Sequence, residues 1–257
     1  MSSKPPVVVI GIGEMGSVFA RGLLRLGHPV YPATRDTDLQ ALATELPAPE
    51  MVLVAVGETA LQPVLQQIPQ VWRGRLALLQ NELLPADYAW LPHPTVISVW
   101  FEKKKGMDSK PLVPSPAFGP HAGLLIDALS ALELPAREVA SARDMLFELV
   151  VKNVYILTTN IAGLRSGGTV NELWSQHQPL ARAVAGEVID IQEAMTGETF
   201  DREALIAAML RAFDGDPEHR CMGRSAPARL QRAIEHADRL GLAVPLLREI
   251  AAEQVAA

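Results

Sequence analysis

Val7-Val8-Val9-Ile10-Gly11-Ile12-Gly13-Glu14-Met15-Gly16 is the stretch on which the fold turns. Its four leading β-branched residues read as a strand buried on both faces. Behind the glycines, Met15, Phe19, Leu23 and Leu26 recur at helical spacing, so a G-x-G-x-x-G sequence sits between a strand and a helix. In that setting each glycine has a job. Gly11 permits a tight turn, Gly13 lets a pyrophosphate approach the backbone, and Gly16 lets helix and strand pack closely. The phosphates would rest on the N–H groups and positive dipole end of the helix, at Gly11, Ile12, Gly13, Glu14, Met15 and Gly16. A glycine-rich structural turn is the plainer reading; the flanking strand and helix favour a dinucleotide site.

Working outward, Gly27-His28 ends that helix, Pro29 to Thr34 reads as a second strand, and Asp36 or Thr37 caps a helix over Leu39 to Leu46. Met51 to Val56, Leu76 to Leu79 and Val96 to Trp100 are further buried strands. Strands alternating with helices predict an α/β doubly wound, mostly parallel sheet of Rossmann type. About five residues separate the second helix from Met51, so the usual third strand is expected to be trimmed. Beyond the Pro-rich stretch from Lys110 to Pro120 nearly everything reads helical: Ala122 to Leu132, Ala142 to Ala162, Leu173 to Met195, Arg202 to Phe213 and Ala228 to Leu240. Breaks are expected at Gly163 to Gly168 and Asp214 to Gly223. The predicted layout is a Rossmann domain over residues 1–120 and an all-helical substrate and dimerisation domain over 121–257.

Composition bounds the partners. The 257 residues are 49% hydrophobic and 20% charged, enough for a sizeable core and incompatible with disorder. The net charge of -6 argues against nucleic acid and anionic membranes. Met1 to Pro6 is too short and polar for a signal peptide, no window approaches an uncharged spanning helix, and the lone cysteine, Cys221, allows no internal disulfide; a soluble cytoplasmic protein is the expectation. Cys221 reads as a packing residue. The histidines are scattered without ligand spacing, so no metal site is expected. Lys103-Lys104-Lys105 reads as a solvated loop.

Cofactor choice is read at the end of the second strand. Thr34-Arg35 offers a hydroxyl and a guanidinium suited to a 2'-phosphate, which favours NADP over NAD. Against this, Arg35 is also readable as an exposed cation entering the next helix, with Asp36 beside it available to a ribose.

In the helical half, twelve of the thirteen cations are arginine and the other is Lys152. It lies in the apolar run Phe147-Glu148-Leu149-Val150-Val151-Lys152-Asn153-Val154-Tyr155-Ile156-Leu157. Helical spacing puts Glu148, Lys152 and Ile156 on one face, with Asn160 about two turns beyond Lys152. Partial desolvation suits a lysine to general-acid work near neutral pH. A lysine that snorkels to solvent or pairs with Glu148 is the alternative.

These residues resemble the ketopantoate reductase family, within the wider 6-phosphogluconate-dehydrogenase-like oxidoreductases. The opening glycine turn and Gly27-His28 match the family's first turn, Thr34-Arg35 its 2'-phosphate-binding arginine, Leu79-Gln80-Asn81 its Gln-Asn-Gly, and Lys152 with Asn160 its Lys-x-x-x-Asn-x-x-x-Asn helix. The resemblance implies a nicotinamide near Val56, Gly57 and Asn81, a small 2-oxo acid substrate reduced with Lys152 as proton donor, and Asn81 and Asn160 orienting cofactor ribose and substrate. A homodimer is a further expectation. Arg224 and Arg229 are the candidates for a substrate carboxylate. Departures fall on the substrate side. Ile156 stands for the first helix asparagine, Gly57 for a lysine, Glu82 for the glycine after Asn81, and Cys221 to Pro227 lacks the family's hydroxyl-binding glutamate. A dinucleotide-binding sensor with a decayed cleft is therefore the second reading, and an imine reductase or β-hydroxy acid dehydrogenase a third.

Overall fold

A computed structural model describes residues 4–103 and 106–256; Lys104 and Lys105 of the triple-lysine run, and the first three residues, lie outside the described residues. The chain forms two compact units, Met1–Leu149 and Val150–Ala257.

In the first unit β1 (Val7–Ile10), α1 (Glu14–Arg25), β2 (Val30–Ala33), α2 (Leu39–Glu45), β3 (Met51–Val54), α3 (Leu61–Gln67), β4 (Leu76–Leu78) and β5 (Thr95–Ile97) follow the alternating pattern. A short hairpin, β6 (Phe101–Glu102) with β7 (Lys110–Pro111), precedes β8 (Ser115–Phe118), α4 (Ala122–Ser130) and β9 (Ala136–Glu138). The main sheet runs β2-β1-β3-β4-β5-β8-β9. Pairing is parallel from β2 to β5 and antiparallel between β5 and β8. With β2 at one edge among the described residues, the third strand of the usual doubly wound sheet is trimmed, as the short link to Met51 implies.

Alternation along the strands builds a core on each face. Val7, Val9, Met51 and Leu53 pack with Phe19, Leu23 and Leu125 from α1 and α4. Val8, Ile10, Val52 and Val54 pack with Ala43, Leu61, Leu65 and Trp72 on the other face. The α2 cap is Asp38, whose carboxylate accepts from the N–H groups of Gln40 and Ala41, rather than Asp36 or Thr37. Thr37 instead closes a turn, its Oγ1 accepting from the Thr34 N–H at 2.9 Å.

The expected boundary after Pro120 is corrected to Leu149. The α4 helix packs on α1, and β9 pairs parallel with β8, so both complete the sheet instead of opening a helical domain. Ala136-Arg137-Glu138 has no strand signature of its own; a neighbouring edge supplies its hydrogen bonds.

The second unit takes up α5 (Ala142–Ser166) from Val150 onward, then α6 (Val170–Gln176), α7 (Gln178–Thr196), α8 (Arg202–Gly215), α9 (Ala226–Leu240) and α10 (Pro245–Ala256). The single run expected over Leu173 to Met195 is two helices. Pro179, in the first turn of α7, lacks the N–H an uninterrupted helix would need there. By length and composition α5 could cross a membrane, contrary to the sequence expectation, yet 78% of its most apolar window is buried inside the protein. Asn153 ties α5 to α7 by donating to Gln192 Oε1 at 2.8 Å, both side chains being buried. Arg165 ties it to α10 through Glu249 and Glu253.

The break expected at Gly163 begins only after Ser166, with Gly167 at positive φ. Gly163 serves a different purpose: a Cβ there would lie 2.7 Å from Cys221 Cβ, with Cys221 backbone at 3.1 Å. Gly163→Ala should therefore destabilise the protein by about 1–2 kcal/mol, overpacking outweighing the gain in helix propensity. Denaturant unfolding of the full chain checks this, and an unchanged midpoint would refute the close approach.

Candidate functional site

The glycine turn behaves as its three positions suggest. Gly11 adopts φ 90°, and a Cβ on it would sit 2.6 Å from the Ala55 carbonyl oxygen. A Cβ on Gly16 would sit 1.9 Å from the Gly11 carbonyl oxygen. At Gly13, by contrast, a Cβ would meet nothing within 4 Å. So the first and third glycines admit no side chain while the second faces open space, the cradle a pyrophosphate needs. The turn is pinned from both sides: the Gly11 N–H donates to Ala33 and the Ala55 N–H to Ile10. Gly13 is the N-cap of α1 and offers no side-chain bond, which leaves the first-turn N–H groups for an anion.

A cavity of about 410 Å³ opens beside this turn. Gly11, Ile12, Gly13, Thr34, Arg35, Val56 and Gly57 all line it. Glu14, Met15 and Gly16 do not: Glu14 is exposed, Met15 packs on the core and Gly16 is buried, so their part is the backbone of the turn. Sequence reasoning missed Ile10, Ala33, Ala60 and Val64, which complete the wall. Ala60 precedes α3 and Val64 lies within it, and no motif in the sequence marks either of them for the cavity. Arg35 is exposed at the rim, on the Thr34 to Thr37 turn.

At the carboxyl ends of the strands, Gln80 is buried and donates to the carbonyls of Val54 at 2.7 Å and Val56 at 3.2 Å, locking β4 to β3. Asn81 does not line the cavity; its Nδ2 donates to Glu58 Oε1 at 3.1 Å, next to Gly57. Glu82 takes φ 60°, the left-handed conformation that a glycine would adopt without strain.

In the second unit Lys152 is half-buried, its Nζ 5.6 Å from the centre of the Tyr155 ring. Glu148, the local partner foreseen for it, is held by Arg137 at 2.5 Å. Ile156 and Asn160 are buried. Asn160 Nδ2 donates to the Ile156 carbonyl at 2.8 Å, and its Oδ1 accepts from Arg229 Nη1 at 3.4 Å. Of the two arginines proposed for a carboxylate, Arg229 is half-buried on α9 and Arg224 is exposed. Burial, with Glu172 adding to it, raises the Cys221 thiol to about 11. Native protein at pH 8 should accordingly resist a thiol reagent until unfolded. Stoichiometric labelling within minutes would contradict that environment.

The two units define a class: a Rossmann-type α/β unit in series with an all-helical one. Within it the chain has the fold of the ketopantoate reductases. The 2-dehydropantoate 2-reductase from Methylococcus capsulatus matches with a TM-score of 0.71 at 14% identity, over 97% of this chain and 95% of that one. A dimeric ketopantoate reductase from Staphylococcus aureus matches at 0.67 and 16% identity, over 98% of each chain. D-mandelate dehydrogenase in complex with NADH matches at 0.64 and 15% identity, over 97% of this chain and 98% of that one. By sequence, the chain matches no family model and no curated protein.

Proposed function

We propose that the protein is an NADP-dependent oxidoreductase that reduces a small 2-oxo acid to the 2-hydroxy acid. The observation that carries the reading is a single cavity lined by both the Gly11 to Gly13 turn and Thr34-Arg35. The turn fits a pyrophosphate, and the exposed arginine lining the same cavity suits a 2'-phosphate. The substrate class is supported by full-length likeness to reductases of ketopantoate and to a dehydrogenase of D-mandelate.

When bound, a reduced nicotinamide supplies a hydride to the substrate's carbonyl carbon. Gly11, Ile12, Gly13, Thr34, Arg35, Val56 and Gly57 hold the dinucleotide, with the turn backbone of Glu14, Met15 and Gly16. Asn81 orients the nicotinamide ribose, its amide steadied by Glu58. Lys152 Nζ gives its proton to the oxygen on which charge develops as the C=O electron pair shifts onto it, and its charge stabilises that oxyanion. Asn160 acts on the substrate side. A homodimer accords with the dimeric S. aureus enzyme of the same fold.

The test is binding and turnover on one sample. NADPH should bind more tightly than NADH and be oxidised on addition of a 2-oxo acid. Ile156 and Gly57, at positions where the family resemblance implies polar side chains, favour the second reading of a dinucleotide sensor, which wins if NADPH binds and a broad panel of 2-oxo acids gives no oxidation.

A further inference from the structure

Two residues of opposite charge, Arg35 and Asp36, stand side by side where β2 gives way to α2. The chain turns one of them to the cavity: Thr34 and Arg35 line it, whereas Asp36 and Thr37 do not. The backbone accounts for the choice. The Thr37 N–H donates to the Thr34 carbonyl at 3.2 Å, and neither Arg35 nor Asp36 has positive φ, which makes residues 34–37 a type I turn. A second bond closes the same turn, the Thr34 N–H donating to Thr37 Oγ1 at 2.9 Å. With both in place φ and ψ of Arg35 and Asp36 are set, and with them the direction in which each side chain leaves the backbone. The neighbouring Asp38 is no substitute for the threonine hydroxyl, because its carboxylate is committed to the N–H groups of Gln40 and Ala41.

We infer that Thr37 is a positioning residue for cofactor choice: its hydroxyl holds the 34–37 turn in the form that directs Arg35 toward a 2'-phosphate and Asp36 away from it. This rests on the NADP reading and deepens it. Thr37 lies off the cavity and acts through its neighbours. Without the hydroxyl the turn keeps only its longer bond, and Arg35 and Asp36 exchange orientations. A carboxylate facing the site repels a phosphate dianion, yet accepts readily from the ribose hydroxyls of NADH. Loosening the turn therefore weakens NADPH and spares NADH.

The experiment titrates the full chain calorimetrically with NADPH, NADH and 2',5'-ADP. Thr37→Val keeps the shape of the side chain and removes its hydroxyl. It should lower affinity for NADPH and 2',5'-ADP about 3–10-fold, the worth of one neutral hydrogen bond, and leave NADH within about twofold. Thr37→Ser keeps the hydroxyl and should restore the wild-type ratio. In an Arg35→Ala background Thr37→Val should have almost no further effect on NADPH, since no guanidinium is left to place. Asp36→Asn added to Thr37→Val should recover part of the NADPH affinity. Amide hydrogen exchange reads the turn with no cofactor present: the Thr34 N–H should exchange faster in Thr37→Val than in wild type or Thr37→Ser.

An unchanged NADPH to NADH ratio in Thr37→Val, an equal loss of both dinucleotides, no rescue by serine, no recovery through Asp36→Asn, or unaltered exchange at Thr34 would each overturn the inference. So would a loss that persists undiminished in Arg35→Ala, which would make Thr37 a phosphate ligand in its own right. A wild type whose preference for NADPH disappears in Arg35→Ala and survives in Thr37→Val overturns the inference and leaves the NADP reading standing. A wild type that binds the two dinucleotides equally, or NADH more tightly, overturns the NADP reading and the inference with it, so the wild-type titration alone tells the two failures apart.

Discussion

Lys152→Met should lower kcat/KM for a 2-oxo acid by roughly 10²–10⁴-fold, the range general-acid assistance provides, while NADPH affinity stays within about twofold. The split follows from where the residues lie. The cavity beside the glycine turn is lined entirely from the first unit, and Lys152 belongs to the second. Methionine keeps the length and apolar stem of lysine and removes the charge and the proton, so α5 should fold as before. Lys152→Arg separates the two contributions. It restores positive charge at the developing oxyanion, but a guanidinium holds its proton too tightly to transfer it, so only part of the loss should return. A variant that retains wild-type kcat would remove Lys152 from the chemistry.

Arg35→Ala should erase most of the preference for NADPH over NADH. A charge-assisted bond to a phosphate is worth about 1.5–3 kcal/mol, so NADPH affinity should fall about 10–100-fold while NADH affinity barely moves. Because Arg35 is exposed, the wild-type preference should also shrink as salt rises, and that dependence should weaken in the variant. Thr34 remains on its turn through Thr37, and Asp36 remains beside it, so the change is confined to one guanidinium. Equal wild-type affinities for the two dinucleotides would refute the NADP assignment, and the likeness to a D-mandelate dehydrogenase bound to NADH makes that comparison the sharper one.

Much of the first unit was legible because its signals are local. A β-branched run, glycines at fixed spacing and an amphipathic helix are set by the residues themselves, and the resulting turn crowds Gly11 and Gly16 while opening Gly13. What the sequence concealed was decided by neighbours. Ala136-Arg137-Glu138 becomes a strand because β8 presents an edge to it, and that pairing moves the boundary from Pro120 to Leu149. Gly163 reads as a helix break and is a contact, since the chain that meets it lies at Cys221.

The candidate site residues divide the same way. By itself the sequence determined strands β1 to β5 with helices α1 and α2, the trimmed Rossmann sheet, the glycine turn, Thr34-Arg35 at the end of the second strand and a lone lysine on an apolar helix, because each depends on spacing within a few turns of one segment. Tertiary structure alone decided that Ala60 and Val64 close the cavity, that Glu58 holds Asn81, that Arg137 takes Glu148, and that Arg229 rather than Arg224 meets Asn160. Those pairings join residues that chain spacing cannot bring together; only the packing of separate strands and helices fixes which side chains come within a hydrogen bond of each other.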